Sequence, residues 1–244
     1  MRILTTFAVA SEFAVWRRLC GFRRVDQSPA PIYRARTGEA ELYVAITGIG
    51  NRKLQGDFKE LFAIRPDIYI TSGLAGGLKS QHRVGTILVA KMTESDDSGT
   101  SIGSDESLAQ AAVECGAVLV DRFHTSQRLV ESREEKRRLG ERADACEMEG
   151  FHVMSAVRRY GVPAVAIRAI SDPLDQDLPL DFAKIMDDRG DINWFRTLSE
   201  ITKAPHRLSA FMSFGFDSRR AARAMALFLN RYVVHIPAPL TETK

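Results

Sequence analysis

Acidic side chains and glycines follow several apolar segments of this 244-residue chain. Carboxylates can transfer protons in catalysis and bind hydroxyl groups, and glycines let a backbone approach a ligand closely. Such residues recur at four places: Glu12, Gly73–Gly77, Cys146–Gly150 and Arg168–Asp172. The pattern indicates acid–base chemistry and hydroxyl recognition at a shared site.

The elements that would position these residues alternate between strand and helix. The predicted strands are Arg2–Val9, Leu42–Thr47, Asp67–Ser72, Thr86–Ala90, Ala117–Val120 and Pro163–Ile170. The predicted helices are Ser11–Leu19, 51–63, Asp105–Cys115, Glu131–Arg142, Gly150–Tyr160 and Asp217–Tyr232. This alternation predicts an α/β fold, a three-layer α/β/α single domain with a central mixed, mostly parallel sheet. Ligands bind beyond the carboxyl ends of such strands, so the four groups should meet at one edge.

Three of these segments carry more specific predictions. Asn51 follows Gly48-Ile49-Gly50 and is the predicted N-cap of the helix 51–63. Glu131–Arg142 carries opposite charges at helical spacing, which is typical of a solvated helix face. Pro163–Ile170 is nearly all apolar, as expected of a strand that is covered on both faces.

Four motifs in a fixed order resemble the nucleoside phosphorylase/nucleosidase superfamily. They are Thr47–Gly50 (TGIG), Ser72–Leu78 (SGLAGGL) followed by Val84-Gly85, Glu147–Glu149 (EME) and Ala166–Asp172 (AIRAISD). Within the superfamily, the chain is most similar to 5′-methylthioadenosine/S-adenosylhomocysteine nucleosidases and to hopanoid-associated nucleoside-cleaving proteins. The resemblance implies a phosphorylase-like domain over residues 1–244, in which 176–244 is a family-variable C-terminal helical part.

The resemblance also implies a reaction and a set of site residues. A small-molecule nucleoside would be hydrolysed at its N-glycosidic bond, through an oxocarbenium-like sugar. Asp172 would protonate the purine, Glu12 would activate the water, and Glu149 would bind the ribose. The further substrate-binding residues would be Met148, Gly73, Ala75, Gly76, Leu129, Val130, Ser171 and Arg168. No cofactor is implied, and a homodimer or a larger homo-oligomer is expected.

Two other functions stay open at the level of sequence. A phosphorylase would use phosphate as co-substrate. The arginine-bearing N-terminal loop of phosphorylases has no counterpart in Phe7–Phe13, which favours hydrolysis, but Arg17, Arg52 or Arg168 could still hold phosphate. A nucleoside-binding protein without turnover is the other alternative. It is favoured by Leu74, where nucleosidases usually carry serine, and by the absence of an aromatic residue beside the predicted purine contacts.

Each charged residue also has a purely structural interpretation. Glu12 fits the first turn of a helix, where the dipole favours a carboxylate. Asp172, which precedes Pro173, fits a turn. Glu147 is expected to bond a backbone amide or an arginine. Arg168 lies within an apolar strand and must pair either with a carboxylate of the protein or with a bound anion.

Composition narrows the functional classes. The 34 Lys and Arg exceed the 31 Asp and Glu by three, which is too little for the concentrated basic face of a nucleic-acid-binding protein. A hydrophobic fraction of 45% excludes a disordered chain. No run approaches the ~20 apolar residues of a membrane span. Five scattered histidines and three separated cysteines show neither metal-ligand nor disulfide spacing, so a cytoplasmic protein without a metal is expected.

Overall fold

The computed structural model describes residues 1–25, 30–54, 58–96, 99–178 and 208–236, apart from the side chain of Arg52. The strands in this part of the chain are β1 (Arg2–Phe7), β2 (Arg23–Arg24), β3 (Ile32–Thr37), β4 (Ala40–Ile46), β5 (Ile68–Thr71), β6 (Leu74–Gly77), β7 (Ile87–Ser95), β8 (Ser101–Gly103), β9 (Val118–Thr125), β10 (Ala145–Glu147) and β11 (Ala164–Asp172). The helices are α1 (Ala10–Cys20), α2 (Lys59–Phe62), α3 (Glu106–Glu114), α4 (Arg133–Leu139), α5 (Gly150–Arg159) and α6 (Leu208–His235).

The strands form one mixed sheet in the order β2-β3-β4-β1-β5-β11-β6-β10-β9-β7-β8. β1 is parallel to β4 and β5, and β11 is parallel to β5 and β6. β7 also pairs antiparallel with β11, so the second half of the sheet closes on itself. Because β1, β5 and β11 are parallel, their carboxyl ends lie at one edge, where the chain continues to Glu12 and Gly73 and ends β11 at Asp172.

Helices cover both faces of the sheet. On one face, α1, α3 and α6 enclose the larger core cluster, in which Trp16 and Phe228 are buried. On the other face, α2 and α5 pack on the sheet through residues such as Val153. Successive side chains of β1 divide between the faces, with Ile3 in the first cluster and Leu4 in the second. The predicted three-layer α/β/α fold is confirmed, and all nine residues of β11 are buried, as its apolar sequence predicted.

The structure corrects three local predictions. Asn51 does not cap a helix, because Gly50 and Asn51 both adopt left-handed φ angles (63° and 58°) within the 3₁₀ segment Ile49–Leu54. The next described helix, α2, has only four residues. The glycine-rich stretch is more than a loop, since β6 pairs with β11 and β10. The last helix begins at Leu208, nine residues before the predicted start at Asp217.

The predicted C-terminal helical part is described only in portions. Of residues 176–244, the segments 179–207 and 237–244 lie outside the described residues. α6 supplies 28 helical residues to this part and packs on the sheet beside α1. None of the helices within the described ranges is long and apolar enough to cross a membrane.

Replacing Trp16 by alanine tests the core beneath α1. The indole is fully buried, and its ring centroid lies 5.0 Å from that of Phe22 and 6.2 Å from that of Phe7. Because the deletion leaves a cavity, we expect Trp16→Ala to lower the free energy of unfolding, measured in urea, by about 3–5 kcal/mol. Leu19→Ala, at a position of the same helix that is 52% exposed, should change it by less than about 0.5 kcal/mol. Equal effects of the two substitutions would contradict this packing.

Candidate active site

Glu12 is held at the start of α1 by three backbone N–H groups. Its Oε2 accepts from Ala8 at 3.1 Å and from Val9 at 3.3 Å, and its Oε1 accepts from Leu74 at 3.1 Å. The bond to Leu74 joins the first helix to the glycine-rich segment. Burial raises the pKa of the Glu12 carboxyl, although these three bonds oppose the shift. A carboxylate with a raised pKa is a stronger base, so this position suits proton abstraction.

Two glycines leave room for the carboxylates. Gly73 has a φ of +149°, and a side chain there would lie 3.3 Å from Glu12 Oε2. A side chain at Gly76 would lie 3.0 Å from both Asp172 Oδ2 and Cys146 Sγ. A larger residue at either position would displace a carboxylate. The glycine-rich segment therefore fixes where Glu12 and Asp172 can lie.

The EME segment is organised by a buried ion pair between Arg168 and Glu147. Arg168 Nη2 donates to Glu147 Oε2, and Arg168 Nη1 donates to the carbonyl of Thr71 at 2.8 Å. Glu147 Oε2 also accepts from the backbone N–H groups of Glu149 at 3.1 Å and Gly150 at 2.6 Å. Burial disfavours the charge on Glu147, but the Arg168 guanidinium together with the hydrogen bonds from Thr125, Arg168 and the Glu149 N–H outweighs burial and lowers the pKa of Glu147. Arg168 was predicted to pair either with a carboxylate of the protein or with a bound anion. In the structure it pairs with the carboxylate of Glu147.

Glu149 lies beside that ion pair and opens α5. Its Oε1 accepts from the backbone N–H of Gly50 at 2.7 Å, so the TGIG and EME motifs are in contact. Burial and the neighbouring charge of Glu147 raise the pKa of Glu149 to about 8. The charge of Glu12 adds to this shift. The ionised form of Glu149 would therefore gain from hydroxyl donors or from a positive charge placed against it.

Asp172 has a polar partner on each carboxylate oxygen. The hydroxyl of Ser171 donates to Oδ1 at 2.6 Å, and the ammonium of Lys136 donates to Oδ2 at 2.6 Å. The Lys136 side chain is fully buried and also donates to the carbonyls of Pro173 at 3.1 Å and Gln176 at 2.9 Å. A simple turn at Pro173 does not account for a buried ion pair of this kind.

Cys146 lies between the Arg168–Glu147 ion pair and the Lys136–Asp172 ion pair. Its partner in the sheet is Gly76, and the charges of Asp172, Lys136 and Glu147 all act on its thiol. Burial is the main cause that raises the pKa of Cys146 to about 12, so this thiol is not a nucleophile at neutral pH. Asp172 ends β11 and Glu147 ends β10, and these two strands flank β6. The two acidic residues therefore lie close together, on either side of β6.

The other predicted contacts line the surroundings of these groups. Met148 and Ala75 are buried, and the Ala75 carbonyl lies 3.3 Å from the Ser171 hydroxyl. Val130 packs with Cys146 and other apolar residues. Leu129 is instead partly buried and belongs to the same apolar cluster as Leu178, Phe211 and Phe214. The assignment of all these residues as ligand contacts stays a prediction.

Lys136 is the site residue that sequence reasoning missed. The prediction that Glu131–Arg142 presents a solvated face is wrong at this position, because Lys136 is fully buried. Its helical spacing to Leu139 was a signal, since a partly buried apolar residue three positions on shares its face of the helix. Of the other cations considered for phosphate, Arg17 lies 4.7 Å over the ring of Tyr33. No cluster of three or more metal-ligating side chains occurs within the described ranges.

Comparison with known proteins identifies the family. A family model described as the phosphorylase superfamily matches residues 23–200. The chain belongs to this superfamily. A 5′-methylthioadenosine/S-adenosylhomocysteine nucleosidase of Shewanella halifaxensis is 27% identical over 143 residues, which cover 48% of this chain and 61% of the relative. The chain thus spans less than two thirds of that curated relative's length.

Solved structures show the same fold at low identity. A Helicobacter pylori 5′-methylthioadenosine/S-adenosylhomocysteine nucleosidase bound to an inhibitor aligns with a TM-score of 0.72 and 22% identity, over 96% of this superfamily member and 98% of that chain. The futalosine hydrolase of Helicobacter pylori aligns with the same TM-score and identity, over 96% and 97% of the two chains. The fold of this phosphorylase-superfamily chain is therefore the fold of these hydrolases.

Glu149→Gln tests the electrostatic cost of the site. Because the pKa of Glu149 rises from 4.5 to about 8 on folding, the folded state binds more protons between these values and loses stability as pH rises. At pH 9 we expect the free energy of unfolding of the neutral variant to exceed that of the parent by more than ~1 kcal/mol. Near pH 5 the two free energies of unfolding should be almost equal. Urea unfolding at both pH values measures this.

The control for this prediction is Glu39→Gln, at an exposed position in the turn between β3 and β4. It should leave the pH dependence of unfolding unchanged. A Glu149→Gln variant that is no more stable than the parent at pH 9 would show that the buried charge is fully compensated.

Proposed function

We propose that this protein is a nucleosidase that hydrolyses the N-glycosidic bond of a purine nucleoside modified at its 5′ position. The observation that carries the proposal is the arrangement of three differently held carboxylates around the glycine-rich strand β6: Glu12 bonds Leu74, Asp172 is the sheet partner of Gly76, and the charge of Glu12 acts on Glu149. Support also comes from the similar proteins, which include nucleosidases for 5′-methylthioadenosine and S-adenosylhomocysteine and a futalosine hydrolase. Negative charge around this strand favours the positive, oxocarbenium-like sugar of the transition state.

Glu12 is the proposed base for water activation. Three backbone N–H groups fix its carboxylate, and its raised pKa makes it a stronger proton acceptor. The attacking water passes a proton to Glu12 as its oxygen forms a bond to C1′ of the sugar. The structural interpretation of Glu12 as a first-turn residue is compatible with this role, since the same bonds that cap the helix aim the carboxylate.

Asp172 is the proposed acid for the leaving base. It gives a proton to N7 of the purine while the C1′–N9 bond breaks, and the electron pair of that bond stays with the base. The base therefore leaves as a neutral molecule. Glu12 then loses its proton to solvent and Asp172 regains one, so that the net reaction is nucleoside plus water to free base plus sugar.

Glu149 is the proposed ligand of the ribose hydroxyls. Its carboxyl, with a pKa of about 8, gains hydrogen-bond donors from two hydroxyls and a positive charge from the developing sugar cation. Met148, buried next to it, offers a polarizable surface to the sugar. Gly73, Ala75, Gly76 and Ser171 complete the proposed polar and backbone contacts.

An apolar group is the proposed 5′ substituent. The partly buried members of one apolar cluster include Leu129, Leu178 and, on α6, Phe211 and Phe214. Val130, buried beside Cys146, is the proposed contact on the purine side. The cluster supports a substituent larger and less polar than the hydroxyl of an unmodified nucleoside.

Hydrolysis is favoured over phosphorolysis because the cations of the site already form ion pairs within the protein. The Nη1 and Nη2 atoms of Arg168 bond Thr71 and Glu147, and Lys136 bonds Asp172. A phosphate needs cationic or N–H donors of its own, and both buried cations of the described site already have anionic partners. Of the Arg168 nitrogens, only Nε has no hydrogen-bond partner among the described residues, so a phosphate that left both ion pairs intact would have a single N–H of this cation to bind.

The wider setting of the enzyme also stays a proposal. We expect one domain over residues 1–244, a homodimer or larger homo-oligomer, and a cytoplasmic location. The subunit number is open to measurement by light scattering of the purified protein.

A nucleoside panel tests the reaction. Purified protein is incubated with 5′-methylthioadenosine, S-adenosylhomocysteine, futalosine, adenosine and inosine, with and without phosphate, and free base is measured by chromatography. We expect base release from at least one 5′-modified nucleoside at a rate that does not depend on phosphate. Release only in the presence of phosphate would replace the hydrolase with a phosphorylase. Binding of a nucleoside without any release would leave a binding protein.

Substitution of the two proton-transfer residues tests the mechanism. Asp172→Asn and Glu12→Gln keep the size of each side chain but remove the transferable proton or the base. Each should lower kcat by roughly 10²–10⁴-fold, because general acid or base catalysis contributes about that much. Glu41→Gln is the control and should retain activity, because Glu41 pairs with Arg34 and lies opposite Arg2 at the amino end of β1, away from the edge that leads to Glu12. Wild-type rates in both site variants would refute these assignments.

A further inference from the structure

Lys136 connects α4 to the segment that follows β11. Three side chains of one helix face that segment: Arg133 bonds Asp177 at 3.2 Å, Arg137 bonds Asp175 at 3.2 Å, and Lys136 bonds Asp172 at 2.6 Å. The first two pairs are solvent-exposed and contribute little. Only the Lys136–Asp172 pair is buried, so it is the contact of this helix that acts on the proposed acid.

The hydrogen bonds of Lys136 leave its ammonium a single orientation. Its three donors go to Asp172 Oδ2 and to the carbonyls of Pro173 and Gln176. Asp172 Oδ1 in turn accepts from the Ser171 hydroxyl. The carboxyl is thus held from both sides, and its plane cannot rotate without breaking a bond to a buried charge.

We propose that Lys136 is a positioning residue for base protonation: it fixes the Asp172 carboxyl and stabilises the carboxylate that remains when Asp172 has given its proton to the departing base. This inference rests on the function proposed above. It goes beyond that function because it assigns the position of the Asp172 carboxyl to a residue on a separate helix.

The proton transfer explains why a buried cation helps. In the form that reacts, Asp172 has taken up a proton from solvent and Lys136 is positive. As the proton moves to N7 and the C1′–N9 bond breaks, a carboxylate forms 2.6 Å from the ammonium nitrogen. The attraction is strongest when the proton has left, so the cation favours the transition state over the ground state. No other reactant is needed, and Lys136 keeps its own protons.

The first experiment separates kcat from KM. Lys136→Met preserves the length of the side chain and removes its charge. We expect kcat for the best nucleoside of the panel to fall roughly tenfold or more, with KM changed less than about threefold. Lys79→Met is the matched control, because Lys79 donates to the Gly140 carbonyl at the end of the same helix and does not contact Asp172. Equal kcat values in Lys136→Met and the parent would overturn the inference.

A second substrate distinguishes chemistry from folding. 4-Nitrophenyl riboside carries a leaving group that departs as an anion without protonation. If Lys136 acts through Asp172, Lys136→Met should cleave this substrate within about threefold of the parent rate while it fails on the nucleoside. A parallel loss on both substrates would show a general structural role and would overturn the inference.

A double variant covers the case in which Lys136→Met does not fold because it leaves Asp172 unpaired. Asp172→Asn combined with Lys136→Met contains no orphan charge. Its kcat should match that of Asp172→Asn alone, because Lys136 has no proton donor left to assist. A further loss of tenfold would overturn the inference. Absence of nucleoside cleavage by the parent protein would instead refute the proposed function, so the two failures are distinguishable.

Discussion

The electrostatic cost of burying several carboxylates at one sheet edge is the constraint on which the rest of the site depends. The charges of Glu147 and Glu12 raise the pKa of Glu149, and the single guanidinium of Arg168 favours the ionised form of all three carboxyls. One cation cannot neutralise three carboxylates. The surrounding backbone therefore has to supply the remaining donors, and the strands that end at this edge are arranged to do so.

The three carboxylates meet this constraint in different ways, and the differences define their roles. Glu147 takes the cation and two backbone N–H groups, which leaves it fixed and ionised. Glu12 takes three N–H groups and no close cation. Glu149 has one backbone N–H bond and a pKa near 8, so its charge is only partly compensated. A positively charged sugar next to Glu149 would stabilise its carboxylate. Because that charge develops only in the transition state, the attraction would lower the activation barrier.

The sequence was most informative where local pattern determines structure. β1 and β11 are runs of apolar residues covered on both faces, and both were predictable from that pattern. β6 was not, because glycines have low strand propensity, and its strand forms only through pairing with β10 and β11. The backbone of Asn51 adopts a left-handed conformation, which the residue type alone does not predict. Lys136 meets a partner 36 residues away, so helical charge pattern alone could not assign it.

The resemblance named the acids, but only the packing separates their environments. β11 carries both Arg168 and Asp172, and in a regular strand residues four apart face the same side. Here the register with β6 shifts between Ile170 and Asp172, so Ser171 is an extra residue relative to its partner strand. Such an irregularity re-aims the side chains that follow it. Asp172 consequently pairs with Lys136 of α4, while Arg168 stays with Glu147 of β10.

Two buried ion pairs on one strand are weak evidence for stability, because the cost of desolvating each charge offsets most of the attraction. Their effect on position is larger. Lys136 of α4 fixes the carboxylate of Asp172, and Arg168 of β11 fixes the carboxylate of Glu147. The shift in β11 thus separates two acidic groups, the proposed sugar side near Arg168 and the proposed base side near Lys136. A reaction that needs negative charge at the sugar and a proton at the base requires that division.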